Sequence, residues 1–163
     1  VGSEMCIRDS YPAMTNYEDI LEDKPDVLFL SSGPGFAAHY LDIVHDVGQM
    51  IGKLPIYGIG LGAEFLGLAL GGTLQKLDKP HAGASIPVKG DDERIYMTSQ
   101  NHEFYIETLP ESVDITYIHL GDGNVEGFRD REQKAYGVLF DPFGLPGATD
   151  LLDEQLKQIK ELA

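Results

Sequence analysis

Leu54-Pro-Ile-Tyr-Gly-Ile-Gly60-Leu-Gly-Ala-Glu64 decides the fold. The apolar run 56–59 predicts a strand and the mostly apolar stretch 62–70 predicts a helix, so the chain turns sharply between them at Gly60. A turn of this kind sets its central residue at a helix N-terminus, where unsatisfied N–H groups and the positive end of the dipole face a bound molecule. Enzymes use such elbows to expose a nucleophile in a strained backbone conformation. Glycine removes the strain and the side chain together. A plainer reading is that Gly58, Gly60 and Gly62 serve only a tight turn and close helix packing.

Working outward, Val27–Ser31 is a short apolar run of the buried-strand type that enters the turn Gly33-Pro34-Gly35. Residues 37–51 place Leu41, Val44, Val47 and Ile51 at helical spacing. Short strands are expected over 72–77, 85–89, 94–98, 114–119, 124–129 and 135–140. The segment 150–162 predicts a helix, with Asp150, Asp153 and Glu154 early and Lys157 and Lys160 late, in keeping with its dipole. The expected class is an α/β three-layer sandwich.

The chain has 163 residues, 42% of them hydrophobic, with 19 glycines and 9 prolines, which suits one globular domain. Its formal net charge of −15 disfavours nucleic acid and anionic membranes as partners. No stretch of the length needed to span a membrane and no secretory signal pattern is present. A lone cysteine, Cys6, offers no disulfide framework, so a cytoplasmic location is the default.

Five segments in order resemble the glutaminase domain of the carbamoyl phosphate synthase small subunit, which is a class I glutamine amidotransferase. They are Pro25-Asp-Val-Leu-Phe-Leu-Ser-Ser-Gly-Pro-Gly35, Pro55-Ile-Tyr-Gly-Ile-Gly-Leu-Gly62, Thr98-Ser-Gln-Asn-His-Glu-Phe104, Ile118-His-Leu-Gly-Asp-Gly-Asn-Val-Glu-Gly-Phe128 and Pro142-Phe-Gly-Leu-Pro-Gly-Ala-Thr-Asp150. The resemblance implies a flavodoxin-like fold with a mixed, mostly parallel sheet. It also implies a role in supplying glutamine-derived ammonia for carbamoyl phosphate, in pyrimidine and arginine biosynthesis, beside a large synthetase subunit. No cofactor is expected.

Where that family carries its chemistry, this sequence departs from it. The family's elbow cysteine falls on Gly60, and its His-Pro-Glu segment falls on Asp141, Pro142 and Phe143; the usual Leu-Gly-His-Gln after the cysteine is here Leu61-Gly62-Ala63-Glu64. Amide hydrolysis by this route needs a thiolate to form a thioester and an imidazole to activate the thiol and protonate departing ammonia. Glycine offers no nucleophile, a carboxylate is a poor proton donor at neutral pH, and Phe143 cannot orient a base. The resemblance thus implies a pseudoenzyme with no intact catalytic residue. Backbone donors outlast side chains, so Gly33, Gly35 and Leu61 retain the family's substrate-binding and oxyanion positions. The other glutamine contacts fall on Glu64 in place of glutamine, Asn101, Glu103 in place of glycine, and Phe104. Two added carboxylates change the charge balance of a zwitterion's site, so glutamine binding is expected to be weak or nil.

Residues 1–10 read as a non-native, adapter-like leader and 11–163 as a partial domain lacking the family's first strand and helix, which predicts an exposed apolar face. His39 and His45 lie six apart on one predicted helix, and His81, His102 and His119 lie on separate segments without local ligand spacing, so no metal site is expected. His102 is assigned to the family-like Gln-Asn-His loop, and Ser31 and Ser32 to a strand end and turn. The rival reading is a dinucleotide-binding module. Gly58, Gly60 and Ala63 satisfy G-x-G-x-x-A, and Asp78 stands where the ribose-binding acid belongs.

Overall fold

The apolar run after Pro55 forms strand β2 (Ile56–Ile59) in the computed structural model, which describes residues 9–142 together with Glu154 and Lys157. Before it come α1 (Tyr17–Glu22), β1 (Leu28–Leu30), a 3-10 turn (Ala37–His39) and α2 (Leu41–Met50); after it come α3 (Leu61–Ala69), β3 (Thr73–Gly90), β4 (Ile95–Thr108), β5 (Asp114–His119), β6 (Val125–Asp130) and β7 (Ala135–Val138). Helix α1 is an addition to the elements expected from the sequence. Asn16 caps it, its side chain accepting from the Glu18 N–H at 3.0 Å, with Glu18 and Asp19 in the first turn.

The strands form one mixed sheet in the order β1-β2-β7-β6-β4-β3-β5. β1, β2 and β7 run parallel, with Leu30 opposite Gly58 and Ile59 opposite Val138. The remaining pairings are antiparallel, and β5 also returns to β6. Strands β6, β4, β3 and β5 therefore close on one another as a four-strand ring beside the parallel unit.

Alternation along the central strands separates two cores. Ile56 and Ala135 face a cluster with Leu66, Val47, Ile106 and Phe128, on the side covered by α2 and α3. Tyr57, Tyr136 and Val138 face the other cluster, with Val88, Tyr96, Tyr117 and Phe140. Tyr57 and Tyr136 stack there at 5.2 Å. Deep burial of both rings pushes the Tyr57 hydroxyl's pKa far above its ordinary value.

Three expectations change. The helix expected over 37–51 divides at Tyr40, whose φ of −121° and ψ of 58° are not helical, and Leu41 is left exposed. The strands expected at 72–77 and 85–89 are one strand, β3, because β4 pairs along most of its length. Residues 98–104 are likewise strand, not loop, and His102 is buried. The edge strand β1 carries a half-exposed Phe29, and Met14, Tyr40 and Leu41 are also exposed. Phe143 and nearly all of the predicted C-terminal helix lie outside the described residues, although Glu154 and Lys157 are helical.

Candidate functional site

The three elbow glycines have different physical causes. A Cβ on Gly58 would lie 2.7 Å from the Gly62 carbonyl and 2.8 Å from Ala63, and one on Gly62 would lie 2.1 Å from the Leu30 carbonyl. These two permit α3 to lie directly on β1 and β2. Gly60 instead caps α3 with φ 55° and ψ −118°, a region that L-residues avoid. Its N–H donates to the Val138 carbonyl at 2.8 Å, and its carbonyl accepts from Ala63 and Glu64. A Cβ here would meet the Ser32 hydroxyl at 2.6 Å, so Ser32 stands where an elbow side chain would begin.

The Gly-Pro-Gly turn sits directly against this elbow. A Cβ on Gly33 would contact Leu61 at 3.5 Å, while Gly35 adopts φ +130° beside the Tyr40 ring. Beyond the turn, the Ala37 N–H donates to Glu64 Oε2 at 3.3 Å. Phe36 stacks on Phe104 at 3.9 Å with an interplanar angle of 15°, which joins the turn to β4. Glu64 is only 3% exposed. Burial pushes its carboxyl up to about 7, against the Ala37 N–H and the His102 imidazole, which favour the charged form.

Asp141 lies just past the end of β7, at the same carboxyl edge of the parallel unit as Gly60, and its N–H donates to Ser99 at 2.9 Å. Gly33, Gly35, Gly60, Leu61, Glu64 and Phe104 thus gather about one edge, with Asp141 beside the start of the 98–104 segment. Asn101 and Glu103 point to the opposite face of β4 from His102 and Phe104 and are exposed, and Glu103 pairs with Lys76 at 3.4 Å. Asp78 is exposed on the antiparallel strand β3, separated from β2 by β7, β6 and β4. The dinucleotide reading needs that acid at the tip of a neighbouring parallel strand, so the topology removes it.

The sheet also assembles a cluster that linear spacing concealed. His81 comes from β3, His102 from β4, His119 from β5, Asp122 from the following turn and Glu126 from β6. His81 Nδ1 lies 2.9 Å from Glu126 and its Nε2 lies 2.7 Å from Asp122. His102 Nε2 lies 3.3 Å from the second Glu126 oxygen, and its Nδ1 lies 2.8 Å from the Phe104 carbonyl. Hydrogen bonding to Glu126 raises the His81 pKa against the effect of burial. Burial alone would raise that of Glu126, but the His102 and His81 rings more than offset it and hold the carboxyl below its usual range. A local signal for the cluster was present: His119 and Asp122 are three apart, and the acid Glu126 follows within an otherwise buried strand.

A family model described as glutamine amidotransferase class-I matches residues 6–150. The carbamoyl phosphate synthase small chain of Clostridium perfringens is 40% identical over 156 residues, covering 93% of this chain and 45% of that protein. The small chain of Methanocaldococcus jannaschii is 40% identical over 152 residues, covering 90% and 43%. The chain therefore spans less than half the length of these relatives. Among solved structures, a candidate GMP synthase component of Thermoplasma acidophilum superposes with a TM-score of 0.76 at 23% identity, covering 93% of this chain and 79% of that one. A glutamine amidotransferase of Thermotoga maritima does so with a TM-score of 0.60 at 17% identity, covering 83% and 64%. These two likenesses bear on fold alone.

Proposed function

Because the chain belongs to the class-I glutamine amidotransferase family and resembles the glutaminase module of the carbamoyl phosphate synthase small chain, we propose that it is a non-hydrolysing member of that family. It serves as a structural or regulatory partner of a synthetase large subunit that takes free ammonia. One observation carries the reading: Gly60 occupies the nucleophile's elbow, with positive φ at the cap of α3 and no side chain. The Gly33 and Gly35 turn, Leu61, Glu64 and Phe104 form what remains of a cradle for an amide-bearing amino acid, while Asn101 and Glu103 lie on the far face of β4 from Phe104 and leave it without their side chains. Partial protonation of Glu64 near neutrality would lessen electrostatic repulsion of a substrate carboxylate, but it supplies no nucleophile. Glutamine binding in this reading is weak and unproductive.

The test is ammonia and glutamate release from glutamine by the purified chain, with Cys6→Ser as a parallel sample. Neither should exceed the protein-free background. Enzyme-dependent glutamate formation that persists in Cys6→Ser would overturn the proposal.

A further inference from the structure

We propose that His81, His119 and Asp122 form a binding site for a divalent transition metal ion of the Zn2+ class, backed by Glu126 and His102. The donor atoms of the three residues lie within 4.8 Å of one another. Asp122 spans the two rings, with Oδ2 2.7 Å from His81 Nε2 and Oδ1 2.8 Å from His119 Nδ1. The rings themselves stack at 4.0 Å with an interplanar angle of 14°, so both ring edges address the same carboxylate. Two imidazoles and a carboxylate make a donor set suited to Zn2+, and leave a fourth position for water or a ligand.

Behind the set, His81 turns its other nitrogen to the fully buried Glu126, and His102 contacts that carboxylate's second oxygen. A carboxylate behind a histidine is the arrangement that fixes a metal-binding ring's tautomer and strengthens its free nitrogen as a donor. The Glu126 oxygen facing His102 has no aligned hydrogen bond among the described residues. His81 and His119 stand on the paired strands β3 and β5, with His102 and Glu126 behind them on β4 and β6, so the two rings are held by backbone pairing while Asp122 completes the set from the exposed turn after β5.

His119 Nδ1 is also caught between incompatible neighbours. It lies 3.2 Å from the N–H groups of both Gly121 and Asp122, which call for a lone pair there, and 2.8 Å from a carboxylate oxygen, which calls for a proton. A cation between Nδ1 and the carboxylate resolves the conflict, at the loss of two long hydrogen bonds. Metal–donor distances near 2.0–2.2 Å ask the paired atoms to separate by roughly half an ångström, which Asp122 can supply from its exposed turn.

The experiment uses the full purified chain, stripped with chelator and divided: one portion is dialysed against Zn2+, and the other, still metal-free, is titrated with Co2+ while the visible absorption of bound cobalt is recorded. One equivalent of Zn2+ and a Co2+ spectrum of four- or five-coordinate type are expected. His119→Ser should weaken binding by at least about tenfold, and Glu126→Gln by about 10–100-fold through the ring that it orients. Cys6→Ser and a His39→Ser/His45→Ser double variant should bind as the parent does. Metal-free melting of His119→Ser, whose parent side chain sits at the ring's margin, checks that the fold is kept. No stoichiometric uptake by the parent, or uptake unchanged in a folded His119→Ser protein, overturns the proposal.

Discussion

Glu64→Gln should stabilise this protein above pH 6 and leave it unchanged near pH 4. The parent carboxyl is almost wholly enclosed between α3, the 3-10 turn and β4, and its pKa rises from 4.5 to about 7, burial being the larger cause. The groups facing it are the Ala37 N–H, which donates to Oε2 at 3.3 Å, and the His102 imidazole, both favouring ionisation. Below pH 4.5 the folded and unfolded chains both carry the proton, and the glutamate costs nothing. Between pH 4.5 and 7 the unfolded chain ionises while the folded one keeps its proton, so stability falls as pH rises. Above pH 7 both are ionised and the loss is complete. At about 1.4 kcal/mol per pKa unit the ceiling is about 3 kcal/mol at pH 8 and about 2 kcal/mol at pH 6. Glutamine has the shape of the protonated acid and keeps an acceptor for the Ala37 N–H, so it escapes this loss. Urea unfolding of parent and Glu64→Gln at pH 4, 6 and 8 gives the difference directly, and the other titrating groups cancel in it. Parallel pH profiles for the two proteins would refute the reasoning.

Two further outcomes follow from the elbow and the turn beside it. Gly60→Cys should lose about 1–3 kcal/mol, because φ 55° with ψ −118° strains any L-residue and its Cβ would meet Ser32 Oγ at 2.6 Å; Ser32→Ala should recover part of that loss in the double variant by urea unfolding, while glutamine hydrolysis stays at background in both. A Phe36→Ala/Phe104→Ala double-mutant cycle should give a coupling of about 0.5–1.5 kcal/mol for the stacked rings. A coupling near zero would mean that the stack does not hold the Gly-Pro-Gly turn against β4.

The parallel unit is legible in the sequence because its strands are short apolar runs with clear stops, although β2 is buried on both faces whereas β1, at the sheet edge, leaves Phe29 half-exposed. Val27–Ser31 and 56–59 are short apolar runs that end at glycine-rich turns, and the structure places β1 and β2 within them. The long hairpin is less legible, since pairing decides its length. Asp78, Lys79 and Pro80 interrupt the apolar pattern of β3 after the buried Leu77, yet a register shift between Lys76 and His81 absorbs them and sets His81 opposite His102. The same shift explains why the histidine cluster escapes a reading by spacing: its members meet across four strands, whereas spacing along a chain reports only neighbours on one helix or turn. Glu103 reads as a carboxylate at the substrate site from its place in a motif, but strand alternation turns it to the far face from Phe104.

The elbow persists without its nucleophile for a reason separable from catalysis. Gly58 and Gly62 are required by contact of α3 with β1 and β2, where a single Cβ would overlap backbone at 2.1–2.8 Å. The Gly60 N–H is tied to Val138 on the neighbouring strand, and its carbonyl begins the helix through Ala63 and Glu64. The turn is therefore fixed by packing and hydrogen bonding on both sides of the missing side chain. Glycine at position 60 relieves a strain that only a reacting residue would justify. Sheet order and elbow geometry consequently report ancestry and fold, while the chemistry is reported by the side chains that the elbow and the end of β7 carry. Here those are a hydrogen atom at position 60 and a carboxylate at Asp141, a pair that cannot form or resolve a thioester.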